Sequence, residues 1–99
     1  MDIFPPLTGF YKAIAADTRI GASHISIYIA LLQQWNLNGG TNPILVKRDE
    51  IMQRAKILAR QTYNKCMNEL NNYGYITYTP ASNGSYCSQV FLNDSEIKK

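Results

Sequence analysis

The chain has 99 residues and a formal net charge of +3, with 45% of its residues hydrophobic and 17% charged. This length and composition indicate one globular domain and exclude an intrinsically disordered chain. No apolar run is long enough to cross a bilayer, and the N-terminus lacks the basic and then apolar order of a secretory signal, so we expect a cytoplasmic protein without a membrane partner.

Residues 1–21 are predicted to form an N-terminal extension with one short helix. Two prolines favour an extended segment over Asp2 to Pro6, because each proline moves the preceding residue away from helical geometry. The pattern of residues predicts an amphipathic helix over Leu7 to Ala16. A connector is expected over Asp17 to Gly21. The apolar side of this helix consists of Leu7, Phe10, Tyr11 and Ile14.

Ala22 to Leu37 gives the strongest helical pattern in the chain, with Ser23 as a candidate N-cap. Its apolar residues extend past half of the circumference, so the helix must be covered on more than one face. The N-terminal helix or a second copy of the chain can supply the second cover, and both alternatives remain open. One stripe comprises Ile25, Tyr28, Ile29, Leu32 and Trp35, widened by Ile27, Ala30 and Leu31.

A short strand is expected over Asn42 to Lys47, after a helix stop at Gly39. Arg48 to Tyr73 then predicts a short helix, a tight break and a longer helix. The longer helix has apolar residues at i, i+3, i+4 and i+7, the stripe expected of a helix that lies on a core. The short helix contributes Ile51, Met52 and Ala55 to that core, and the longer one Tyr63, Cys66, Met67 and Leu70.

The opposite side of the longer helix carries amides and one lysine but no carboxylate. This outward row consists of Gln61, Asn64, Lys65, Asn68 and Asn72. Long polar side chains on an exposed helix suit the base edges of a DNA major groove. Positive charge is concentrated nearby, since the window from Lys47 to Lys65 contains six cations and two carboxylates, as expected of phosphate binding. A solvated basic helix face is the alternative interpretation.

Two strands with alternating apolar residues follow, Tyr75 to Thr79 and Tyr86 to Leu92. Between them lies Asn83-Gly84, a strong signal for a β-hairpin turn. Residues 93–99 are expected to form a polar tail.

The order helix, strand, helix, helix, strand, strand over Ala22 to Leu92 resembles the winged helix-turn-helix superfamily. The phrases RDEIMQRAKI and TYNKCMNELNNYGYITY and the Ser-Asn-Gly hairpin are similar to small winged-helix proteins of bacterial mobile elements. They are more loosely similar to the winged-helix domains of plasmid and phage replication initiators. The resemblance implies an α+β, mainly helical fold, with a three-helix core over residues 22–92, a small antiparallel sheet, a hairpin wing and an extra N-terminal helix.

The resemblance also implies a role for each part of the helix pair, with Arg60 to Tyr73 as the recognition helix. The candidates for reading bases are Gln61, Asn64, Lys65 and Asn68. The candidates for binding phosphates are Arg48, Arg54, Lys56 and Arg60. The wing is Ser82, Asn83, Gly84 and Ser85, which is neutral, unlike the basic wings common in the superfamily. Neither helix of the pair has a Ser or Thr cap, since Lys47 and Leu58-Ala59 stand there.

Sequence-selective binding of double-stranded DNA, as a dimer, is the leading hypothesis, for a transcriptional regulator or a replication or transfer factor of a mobile element. The dimer contact would use the N-terminal helix or the Ala22 to Leu37 helix. The alternative is a winged-helix module that binds another protein and not DNA. No enzyme motif is recognisable, and Cys66, Cys87 and His24 lack metal-ligand spacing, so we expect no catalysis, metal or cofactor.

Overall fold

The computed structural model of the chain describes residues 4–81 and 87–93, and for residues 4–6 the backbone only. These residues form four helices and one antiparallel sheet of three strands, so the expectation of a mainly helical α+β fold is confirmed. The architecture is compatible with a winged helix. In chain order the elements are α1 (Phe4–Ile14), α2 (Ala22–Leu37), β1 (Ile44–Val46), α3 (Arg48–Ala55), α4 (Arg60–Asn72), β2 (Ile76–Thr79) and β3 (Ser88–Leu92).

The strands lie in the order β1-β3-β2, so β3 is the central strand. Strands β2 and β3 pair with Ile76 opposite Leu92, which confirms the predicted antiparallel pairing of the last two strands. Strand β1 pairs with the other edge of β3, with Ile44 opposite Val90. The predicted wing residues Ser82, Asn83, Gly84 and Ser85 lie outside the described residues.

The core lies between the helices and the inner face of the sheet. The predicted apolar stripe of α4 is buried, with at most 4% of any of its four residues exposed. Each such side chain stabilises the fold by about 1.5–3 kcal/mol through burial, and together they fix which side of α4 faces outward. From α3 the core takes Ile51 and Ala55. The sheet contributes Ile44, Val46, Ile76, Val90 and Leu92.

Helix α2 has the predicted boundaries but buries a different arc from the one expected. Ile29, predicted to pack on the core, is 43% exposed. A helix with apolar residues around most of its circumference gives no period by which its outer side can be recognised, and this caused the error. The buried apolar arc comprises Ile27, Tyr28, Ala30, Leu31 and Leu32.

Helix α1 begins at Phe4, so the prediction of an extended segment from Asp2 to Pro6 is wrong for residues 4–6. Proline is tolerated in a first helical turn because the N–H groups there have no intrahelical partner. Phe10 is buried and stacks on Tyr28, with ring centroids 3.8 Å apart, so α1 supplies part of the second cover of α2. Tyr11, expected on the same apolar side, is 45% exposed.

A histidine, and not Ser23, satisfies the start of α2. Nδ1 of His24 accepts a hydrogen bond of 3.0 Å from the backbone N–H of Gly21. The ring proton is therefore on Nε2, which donates to Oε1 of Glu69 at 2.7 Å. His24 is buried, and its bond to Glu69 joins α2 to α4.

Candidate nucleic-acid interface

Helix α4 presents its predicted outward row to solvent, because the row lies opposite the buried stripe. Gln61, Asn64 and Asn68 are exposed, and their amides have no hydrogen-bond partner in the part of the chain that the structure describes. The row from Gln61 to Asn68 rises by about 10 Å along the helix axis. That length matches about three base-pair steps of about 3.4 Å each.

The free amides of the row contrast with another amide on the same helix. Asn71 is half-buried, and its Oδ1 accepts a hydrogen bond of 2.9 Å from the backbone N–H of Tyr78. This bond ties α4 to the edge strand β2, so Asn71 has a structural role. The amides of the outward row remain available to a ligand.

Lys65 is the one cation of the row, and its side chain is 73% exposed. Its Nζ lies 3.8 Å from Oε2 of Glu69, one helical turn away. The other oxygen of that carboxylate is held by His24. An exposed pair of this length contributes at most about 0.5 kcal/mol, so Lys65 can leave it for a stronger acceptor.

The turn between α3 and α4 is fixed at its α3 end. Lys56 ends α3 in the left-handed conformation, with φ 62° and ψ 37°. The N–H of Ile57 donates to the carbonyl of Met52 at 2.9 Å, and the hydroxyl of Ser26 on α2 donates to the carbonyl of Ala55. These contacts therefore fix the point at which the chain leaves α3.

Both helices of the pair begin without a capping side chain, as predicted. The N-cap residues are Lys47 for α3 and Ala59 for α4, and neither makes a side-chain cap bond. The first N–H groups of a helix have no intrahelical partner, so each of these helix starts presents hydrogen-bond donors and a partial positive charge.

The four predicted phosphate-binding cations divide into two groups. Arg54, Lys56 and Arg60 lie around the turn and are exposed. Nη1 of Arg54 donates to Oε1 of Gln34 at 2.8 Å, whereas Lys56 and Arg60 have no partner among the described residues. Arg48 lies at the other end of α3, six residues and about 9 Å of helix rise from Arg54.

Leu58 was not recognised from the sequence as a surface feature. It is 97% exposed and stands in the turn between Lys56 and Arg60. An apolar side chain among cations can contact a thymine methyl group or an apolar partner. Its position outside both apolar stripes of the helix pair was the available signal.

A groove of about 510 Å³ lies between the start of α3, α4 and the base of the β2–β3 hairpin. Asn64 lines it, so the groove adjoins the outward row of α4. Arg48 lines it as well, with Nε 3.4 Å from Oδ1 of Asp49. The remaining lining residues are Lys47, Glu50, Tyr63, Tyr78, Pro80, Ala81 and Ser88.

A polar cluster outside this region anchors the connector between α1 and α2. Asp17 accepts hydrogen bonds from Arg19 at 2.8 Å and from the Tyr75 hydroxyl at 2.6 Å. These bonds hold the pKa of Asp17 well below its usual range, Arg19 having the larger effect. Burial, and then the bond to Asp17, raise the pKa of Tyr75 to about 12. Arg19 also stacks over the ring of Tyr73, 3.9 Å from its centroid.

No protein-family profile, curated protein or solved structure matches this chain. Among the described residues, no helix has the length and apolar character needed to span a bilayer.

Proposed function

We propose that this chain binds double-stranded DNA sequence-selectively, as a cytoplasmic winged-helix regulator of transcription or a replication or transfer factor of a mobile element. The observation that carries the proposal is the exposed, carboxylate-free row of α4, whose amides are unpartnered among the described residues and which lies beside exposed cations. A solvated helix face explains exposure but gives no reason for the absence of carboxylates from the row.

In this proposal α4 enters the major groove and its row contacts base edges. Asn64 and Asn68 can each form two hydrogen bonds with an adenine, and Lys65 can approach a guanine. Each good pair of bonds contributes about 1–3 kcal/mol of discrimination. Lys56 and Arg60 at the turn then contact phosphates, which position the helix without reading sequence.

A homodimer through α2 is part of the proposal. The outer side of α2 includes Ile29 and Leu37, which are 43% and 61% exposed, and the whole helix contains no Asp, Glu, Lys or Arg. A two-fold contact between two such helices brings no like charges together. Size-exclusion chromatography with light scattering tests it, and a dimer predicts a palindromic DNA site with half-sites about 34–36 Å apart.

A salt titration tests the DNA-binding proposal. A duplex selected from a random library is titrated by fluorescence anisotropy between about 50 and 200 mM salt. With about four phosphate contacts, log K falls against log salt with a slope of about −3.6, which is roughly a 150-fold loss over this range. Arg60→Gln is expected to reduce the magnitude of this slope by about 0.9. Lys12→Gln, an exposed charge on α1, is the matched control and should leave the slope unchanged.

Binding to another protein is the second candidate function, and the almost complete exposure of Leu58 favours it. Leu58 can enter an apolar pocket of a partner protein, because its own domain leaves it almost uncovered. A chain that selects no duplex and binds none at the lowest salt would favour this candidate over DNA binding.

A further inference from the structure

Tyr63 is the most buried residue of the groove between α3, α4 and the hairpin. Only 1% of its surface is exposed, and its hydroxyl has no hydrogen-bond partner in the described part of the chain. The hydroxyl is not fully enclosed, since among the described residues the fully buried side-chain oxygen without a partner is Oδ1 of Asn36 and not this one, so the Tyr63 hydroxyl is open to the groove. Tyr63 lines the groove, so a ligand bound there can provide the missing acceptor.

The groove offers other donors around this hydroxyl. Lys47 and Arg48 line it, and α3 begins there without a capping side chain. Two carboxylates line it as well, Asp49 and Glu50, and both residues are exposed. The side chain of Asp49 is 88% exposed and lies beside Arg48, so it is directed mainly to solvent. Tyr63 is therefore the buried donor of the groove, and Lys47 and Arg48 are its cations.

We propose that this groove binds one backbone phosphate of DNA and that the Tyr63 hydroxyl donates a hydrogen bond to it. This inference rests on the proposed function and identifies a contact within it. The bound phosphate would fix the position of Asn64, which lines the same groove and belongs to the base-reading row. Tyr63 is therefore a positioning residue that carries no sequence information itself.

Two features select a phosphate oxygen over a nucleobase. A base that stacks needs an exposed ring face, and the ring of Tyr63 is buried. Burial also raises the pKa of the Tyr63 hydroxyl, so the group stays protonated and can donate at any physiological pH. An oxygen of a phosphate diester accepts only, and it suits a protonated hydroxyl in a groove that Lys47 and Arg48 also line.

Tyr63→Phe tests this inference because it removes only the hydroxyl. The variant should lose about tenfold in affinity for the selected duplex, as expected when a hydrogen bond to a charged group is lost. The loss should be equal for unrelated duplexes, and the salt slope should not change, since no charge is removed. The urea midpoint of the free protein should be unchanged or higher, because the hydroxyl has no partner to lose.

Tyr75→Phe is the matched control. Its hydroxyl bonds to Asp17 on a different part of the domain, so its loss should lower the urea midpoint and leave the duplex affinity unchanged. The DNA is then changed by replacing one phosphate at a time with a neutral methylphosphonate. At one position the replacement should weaken binding by wild type but should cause no further loss of affinity in Tyr63→Phe, because the variant has already lost the contact to that phosphate.

The outcomes separate this inference from the function on which it rests. If wild type binds no duplex, both fail. If wild type binds and Tyr63→Phe binds equally well, the groove inference alone is overturned. A lower urea midpoint for Tyr63→Phe, or losses that are additive at every methylphosphonate position, would overturn it as well, because the hydroxyl would then act within the protein or on another group.

Discussion

Substitution of Lys56 separates the stability of the helix pair from its proposed function. Lys56 has φ 62° and ψ 37°, a conformation that costs a residue with a Cβ about 1–2 kcal/mol. Glycine avoids this cost, but it adds about 0.4–1 kcal/mol of conformational freedom to the unfolded chain. Lys56→Gly should therefore leave the free energy of unfolding unchanged or raise it by up to about 1.5 kcal/mol.

The same substitution should weaken DNA binding, since it removes an exposed cation that has no partner among the described residues. If Lys56 contacts one phosphate, the magnitude of the salt slope falls by about 0.9. Lys56→Gln is the matched control, because it keeps the backbone cost and loses the charge. It should reproduce the change in slope without any gain in stability.

Thermal unfolding and salt-stepped anisotropy titrations measure the two effects. The expected Tm of Lys56→Gly is unchanged or higher by up to about 10 °C for a domain of this size. A clearly lower Tm would refute the assigned left-handed geometry. An unchanged salt slope for both variants would refute the phosphate contact of Lys56.

Three further predictions follow from contacts in the fold. Leu70→Ala should lower the free energy of unfolding by about 2–5 kcal/mol in urea melts, and a smaller loss would contradict its complete burial. His24→Ala should cost at least about 1 kcal/mol, because it removes the bonds to both Gly21 and Glu69, whereas Ser23→Ala should cost little because Ser23 makes no cap bond. The pKa of Asp17 is lower in the folded state, so its contribution to stability is complete above the ordinary carboxyl pKa of 3.8 and is lost as the pH falls below it. Asp17→Asn should therefore flatten the acid limb of the stability curve, and an unchanged limb would count against the Arg19 and Tyr75 contacts.

The helix pair was predicted well from the sequence, because the helical repeat of the apolar residues determines both the buried and the exposed side of a helix. Burial of Tyr63, Met67 and Leu70 at helical spacing makes the exposure of Gln61, Asn64 and Asn68 a geometrical consequence. The strands were recognised from β-branched and aromatic residues, although each one is shorter than expected. The base-reading and phosphate-binding roles given to these residues remain predictions.

Other features depend on neighbours that are distant in sequence. The orientation of α2 could not be predicted, because Ile29 and Ile27 are equally apolar and only the packed neighbours decide which one is covered. The bond between His24 and Glu69 joins residues 45 positions apart. Tyr63 was assigned to the core from its spacing, which is correct for its ring. The missing partner of its hydroxyl becomes visible only when α3 and the hairpin enclose the groove.

The proposed function requires that the outward row of α4 reads base sequence. The most direct measurement is the ratio of affinities for the selected duplex and an unrelated duplex, compared between wild type, the Asn64→Ala/Asn68→Ala double variant and Gln89→Ala, an exposed amide on β3. We expect this ratio to fall at least about tenfold in the double variant and to be unchanged in Gln89→Ala. A double variant that retains the wild-type ratio would contradict the claim.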